Sequence, residues 1–178
     1  MVGLSHETLQ SNPERLPDEE RTIASTVVFS SDGRILLGRK PPKGGGVYSE
    51  SWHLPGGGKE AGESLPKAAF RELGEEVIGL PIVNEGNLEP MPWLQGKGAA
   101  PKTHDDGRRV WCEMEFNYFR YPSALTAKEL AAVVQPGSDF VELRFFSPTE
   151  IAELPTVPGG IEQKIISGEL TATSQPPN

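Results

Sequence analysis

Gly56–Glu76, GGGKEAGESLPKAAFRELGEE, is the stretch on which the reading of this chain turns. Its glycine run permits backbone conformations that other residues avoid, so a loop is predicted there, ending the short strand Trp52–Leu54. Ser64 then offers an N-cap, Pro66 is tolerated in a first turn, and Leu65, Ala69, Leu73 and Val77 recur every four residues as an apolar stripe. The pattern predicts a helix over residues 65–78, with Gly79 as its C-cap and Pro81 preventing continuation.

On that helix Glu72, Glu75 and Glu76 stand three and four positions apart, so they converge on roughly a 100° arc of one face. Like charges at these spacings cost an isolated helix about 0.2–0.5 kcal/mol per pair. A divalent cation would relieve that cost, and Mg²⁺ favours hard oxygen ligands: one or two carboxylates completed by water and substrate phosphate. A solvated acidic face balanced by Lys67 and Arg71 is the plainer explanation of the same residues. Glu76 counts against it, because the helical projection sets this acid between Leu65 and Ala69, at the rim of the apolar stripe, and predicts partial burial.

Gly57, Glu63, Arg71, Glu72, Leu73, Glu75 and Glu76 together closely resemble the Nudix box: Gly, five residues, Glu, seven residues, Arg-Glu, an aliphatic residue, any residue, Glu-Glu. Every spacing is met. Trp52-His53-Leu54-Pro55-Gly56 resembles the family's strand into the box, and Arg144-Phe145-Phe146-Ser147 its late strand. One departure is visible: the glycine that normally closes the box comes one position late, at Gly79, which predicts a helix one residue longer.

The resemblance implies an α/β (α+β) fold, an α/β/α sandwich around a mixed β-sheet, and hydrolysis of a phosphoanhydride bond in a nucleoside diphosphate derivative. Carried over by position, it makes Glu72, Glu75, Glu76 and the Gly56 carbonyl ligands of Mg²⁺, with Mn²⁺ as a substitute and no organic cofactor. It gives Arg71 and Glu63 the task of orienting the catalytic helix. Glu72 is the expected general base, and Asp139 and Glu142, just before the late strand, are the alternatives.

Around this stretch, residues 1–20 are polar and read as a flexible arm, residues 21–172 as one domain, and residues 173–178 as a frayed tail. Thr22–Ser30 and Arg34–Arg39 flank a turn and predict a hairpin, followed by a long loop over residues 41–51. Residues 81–108 are rich in Gly, Pro and Asn and predict irregular structure, with a strand near Met91–Leu94. Val110–Tyr121 and Phe140–Phe146 predict strands, and residues 126–134, 148–154 and 161–170 predict short helices.

A net charge of −8 over 178 residues, with a pI near 5.0, excludes a protein that holds long nucleic acid by neutralising phosphates, and disfavours an RNA-end hydrolase. A small nucleotide remains the expected partner, a nucleoside triphosphate ahead of ADP-ribose, a nucleotide sugar or a dinucleoside polyphosphate, and a homodimer is left open. The rival from another class, a regulatory module without turnover, is opposed by the intact acids. A single cysteine, no apolar leader and no apolar run of membrane-spanning length point to a cytoplasmic protein. Arg39, Lys40 and Lys43 lie where they could reach phosphates but read first as surface cations. Tyr48, Trp52, Trp93 and Trp111 read as core before base platforms, His53 and His104 lack a metal-like spacing, and Cys112 is expected to be buried and inert.

Overall fold

The β-branched run that follows Arg21 builds the spine of the molecule. In the computed structural model, which describes residues 18–43, 49–154 and 161–176, strand β1 (Glu19–Phe29) runs parallel to β8 (Arg109–Pro122) along its whole length. The other edge of β1 is shared. Its end pairs antiparallel with β2 (Ile35–Arg39) across a turn at Gly33, and its middle pairs antiparallel with β4 (Gly56–Gly58). Antiparallel β10 (Glu142–Phe146) and β3 (Trp52–His53) continue the sheet from β2, while β6 (Glu89–Pro90) and β7 (Gly96–Thr103) continue it from β8.

Alternation along β1 sends its side chains to two cores. Ala24 and Val28 pack with Ala68, Ala69 and Leu73 of α1 (Leu65–Glu76) and Leu130 of α2 (Ala127–Ala131). Val27 and Phe29 face the other way, onto Ile35, Leu37 and Tyr118, with Ile151 of α3 (Pro148–Ala152) and Ile165 of α4 (Ile161–Ile166). Helices therefore cover both faces of one mixed sheet, the expected α/β/α sandwich.

Several local expectations are corrected. β1 begins at Glu19, inside the stretch read as an arm, and residues 1–17 lie outside the described residues. The glycine run is a strand, not a loop, because β1 offers it a ladder from Ser25↔Gly56 to Ile23↔Gly58. Helix α1 stops at Glu76, where the chain turns into β5 (Val77–Ile78) and pairs with β9 (Gln135–Pro136). Gly79 is thus no helix cap. Its φ of 87° and a would-be Cβ 2.3 Å from the Val133 carbonyl oxygen explain the glycine by a close approach after β5.

Residues 81–108 are more regular than their composition predicts. Pro92–Leu94 form a 3₁₀ turn, not a strand, and Gly96–Thr103, GKGAAPKT, form eight residues of β7. Thr103 is the single β-branched residue in it; the ladder with β8 imposes the conformation. The tail read as frayed is anchored at Ser174, whose carbonyl accepts from Arg120. Of the loop over residues 41–51, residues 44–48, with Tyr48, lie outside the described residues. No helix among the described residues is long and apolar enough to cross a membrane.

Candidate active site

Arg71 organises the turn that carries the box. Its Nε and NH2 each donate to the Glu63 carboxylate at 3.0 Å, NH2 also donates to the Gly58 carbonyl at 2.9 Å, and NH1 donates to Glu72 at 2.7 Å. The guanidinium fork thereby ties the loop before the helix to the acidic face of the helix itself. Its hydrogen bonds, with the Glu60 amide, hold the Glu63 carboxyl down at a pKa of about 2. Ser64 caps α1 by accepting from the Lys67 amide, as its position predicted.

The three helix acids have different surroundings. Glu76 is only 2% exposed and accepts the Gly56 amide proton at 2.7 Å. Burial pushes its pKa up to about 8, against the opposing effects of that hydrogen bond and of Lys40, whose Nζ lies 3.8 Å away. Glu72 lies against the Gly57 backbone so closely that a Cβ on Gly57 would stand 2.4 Å from the carboxyl carbon. Burial raises the Glu72 pKa and Arg71 opposes the rise. Glu75 is about half exposed, 3.6 Å from Arg71 NH1. Among the described residues no three His, Cys, Asp or Glu side chains are gathered to hold one ion.

The glycine strand supplies what the side chains lack. Pro55 and Lys59 bond with Thr26 and Thr22 across the β1–β4 ladder, and antiparallel alternation then turns the Gly56 N–H and C=O away from β1. The N–H goes to Glu76. The donor set around it is hard oxygen, partly buried and undercompensated in charge, and the absence of a Cβ at Gly57 is what lets Glu72 reach it. That chemistry suits Mg²⁺, which commonly takes one or two carboxylates and completes its shell with other oxygens.

A second segment reaches this site from far along the chain. The carbonyls of Glu75 and Glu76, which have no partner within α1, accept from the Ser138 and Gly137 amides at 3.0 and 2.9 Å. This tertiary cap sets Asp139 beside the acidic helix. Lys40 Nζ lies 3.4 Å from Asp139 and 5.0 Å from the centre of the Phe140 ring. Lys40, grouped in the sequence with Arg39 and Lys43 as a surface cation, is therefore the member of that group drawn into the acids. Arg39 instead pairs with Glu142 at 3.0 Å. Burial would raise the Glu142 pKa, but Arg39 and Arg144 outweigh it and leave the carboxyl lowered. Of the two late acids, Asp139 adjoins the helix acids electrostatically and Glu142 is taken up on β10.

Glu72, Gly56, Gly57, Lys40 and Asp139 border a cavity of about 330 Å³, within the range of small-ligand sites. Its floor consists of rungs between parallel strands, Ser25↔Tyr118, Ile23↔Phe116 and Arg21↔Met114. A cavity of about 700 Å³ under the β7–β8 hairpin is larger but lacks the helix acids, so the smaller one is the candidate site. Trp52 is buried edge-on against Phe146 and Cys112 is buried, both as expected of core residues. His53, which also lines the smaller cavity, bonds to Ser51, and His104 bonds to Glu19.

Comparison with known proteins agrees with this fold. The model of the NUDIX domain matches residues 19–164. A nucleoside triphosphatase, NudI, of Escherichia coli is 33% identical over 105 residues, covering 59% of this chain and 70% of that protein. An RNA pyrophosphohydrolase of Sphingopyxis alaskensis is 41% identical over 56 residues, covering 32% of this chain and only 33% of its own length. Among solved structures, a MutT protein from Methanosarcina mazei Go1 has the same fold, with a TM-score of 0.60 at 18% identity, over 86% of this chain and 95% of that one. The chain belongs to the Nudix family. It is accordingly a hydrolase.

Proposed function

We propose that the chain is a Mg²⁺-dependent hydrolase of a phosphoanhydride bond in a nucleoside diphosphate derivative, with nucleoside triphosphates as its preferred class. The observation that carries this is the placement of Glu72, set against Gly57, at one end of a nucleoside-sized cavity, with Glu76 buried behind the same glycine strand and held by the Gly56 amide. The preference for a triphosphate is supported by the similarity to NudI, which covers 70% of that protein. The match to the RNA pyrophosphohydrolase is confined to 56 residues, and the net charge of −8 argues against holding a transcript.

Gly56, through its carbonyl, and Glu72, Glu75 and Glu76 would hold the ion, with Mn²⁺ as an alternative to Mg²⁺. When bound, a divalent ion supplies phosphate charge neutralisation and a lowered pKa for water. Glu72, set against Gly57 at the border of the cavity, takes the proton from the attacking water. Arg71 and Glu63 hold the helix and its carboxylates in register with the glycine strand. Lys40 meets the phosphates at the end of the cavity where Asp139 stands. A buried, unpaired Cys112 suits a reducing compartment such as the cytoplasm.

The test is a phosphate-release screen with Mg²⁺ over nucleoside triphosphates, ADP-ribose, nucleotide sugars and dinucleoside polyphosphates, run on the wild type and on Glu76→Gln. Turnover of a triphosphate, lost in the variant, is expected. Product from none of these substrates, or a full rate in the variant, overturns the reading.

A further inference from the structure

Arg21 is a cation in this cavity that the proposed chemistry does not use. Three rungs order the cavity floor along β1 and β8, spaced about 7 Å apart as alternate residues of a strand. Ser25↔Tyr118 is level with Gly56, where the acids stand, Ile23↔Phe116 is level with Gly58, and Arg21↔Met114 is the far end. The Arg21 side chain folds back across Gly58, whose would-be Cβ lies 2.1 Å from NH2, so a side chain at position 58 would push the guanidinium out of its present place. Among the described residues its guanidinium has no hydrogen bond or ion pair. The wall of the cavity thus holds a partly buried fork of donors without an acceptor.

We propose that Arg21 selects the base of the substrate, favouring keto bases (guanine, uracil, thymine) over amino bases (adenine, cytosine). The proposal rests on the nucleotide hydrolase reading above. Phosphates belong at the Gly56 end with Lys40, which leaves the apolar middle rung, Ile23 and Phe116, for the base ring and brings its edge to Arg21. Guanidinium is a donor only, with no acceptor of its own. It pairs with guanine O6 and N7, or with the O4 of uracil or thymine, whereas the N6 amino group of adenine and the N4 amino group of cytosine set donor against donor.

The experiment compares kcat/KM for GTP with ATP and for UTP with CTP, in the wild type, Arg21→Ala and Arg21→Lys. The wild type should favour the keto member of each pair by about ten-fold, chiefly through KM. Arg21→Ala should bring both ratios to about one, and Arg21→Lys should restore part of the preference. An equal loss over all four nucleotides would make Arg21 a phosphate contact and overturn the proposal, as would ratios that the variants do not move. Calorimetric binding of GMP and AMP separates this from the hydrolase reading. Arg21-dependent preference for GMP without turnover of any of the four substrate groups screened above would sink the hydrolase reading and keep base selection; equal binding of GMP and AMP by the wild type would sink base selection whatever is hydrolysed.

Discussion

The backbone amide of Gly56 donates to the carboxylate of Glu76 at 2.7 Å, joining two residues twenty positions apart. The bond pins the last residue of α1 to the glycine strand while leaving that carboxylate buried. Because burial lifts the Glu76 pKa to about 8, a cation that binds there must displace a proton at lower pH. The apparent Mg²⁺ affinity should therefore rise from about pH 6 to about pH 8, and Glu76→Gln should flatten that rise; titration calorimetry at both values checks it. The folded pKa also exceeds the ordinary 4.5, so the metal-free folded chain binds more protons than the unfolded one in this window, and its stability should fall as pH rises from about 4.5 to about 8. A metal-free melting temperature that climbs across the window would contradict the assignment.

Glu63 has the opposite sign. Arg71 holds its carboxyl down at about 2, below the ordinary 4.5, so its stabilising effect is present above pH 4.5 and is lost as pH falls towards 2. Glu63→Gln should be less stable than the wild type at pH 7, with the gap closing on acidification, as read by urea denaturation across that range. With the two-pronged ion pair from Arg71 to residue 63 lost and the bond to the Gly58 carbonyl left as its main hold before the helix, kcat should drop about ten-fold.

Gly57→Ala tests how closely the glycine strand approaches the helix. The added Cβ would sit 2.4 Å from the Glu72 carboxyl carbon, so Glu72 must move. The expected loss is about 100-fold in kcat from misplacement of Glu72, with little loss of stability, because the carboxyl end of a flexible side chain can swing aside. Gly107→Ala, at φ 82° in open space, provides the contrast: about 1–2 kcal/mol of left-handed strain and kcat within two-fold or so of the wild type. Similar kinetics for the two variants would refute the role given to the Gly57–Glu72 contact.

The loop that caps α1 offers a fourth test. A Cβ on Gly137 would lie 1.8 Å from the Glu75 carbonyl oxygen, so Gly137→Ala should open the tertiary cap, cost about 1–3 kcal/mol in chemical denaturation and displace Asp139. Asp139→Asn separates that displacement from chemistry. With Glu72 as the base, it should lower kcat by about ten-fold at most; a loss of about 1000-fold would transfer the role of base to Asp139.

The box itself is local, and this is why it was legible. Gly57, Glu63 and Arg71–Glu76 lie within one strand, turn and helix, so helical geometry together with spacing was enough to predict the Ser64 cap, the apolar stripe and the burial of Glu76. The paired β1–β2 hairpin and the long β8 strand were equally plain, because β-branched and aromatic residues there match the conformation they adopt. Where pairing partners decide the conformation, local signals misled. GKGAAPKT becomes β7 only because β8 lies beside it, Gly56–Gly58 become a strand because β1 has an open edge, and Val77 leaves the helix to pair with Pro136.

The sequence by itself thus determined the family likeness, the two-sided core and the acids that carry the proposed chemistry. Only the tertiary structure decided which distant side chains join them: Lys40 rather than Lys43, Asp139 rather than Glu142, and Arg21, folded back over Gly58 in the cavity wall. The physical reason is that helical periodicity is written in neighbouring residues. The register of β1 on β8, and the cap that Gly137 and Ser138 place on α1, depend on chain segments dozens of positions away.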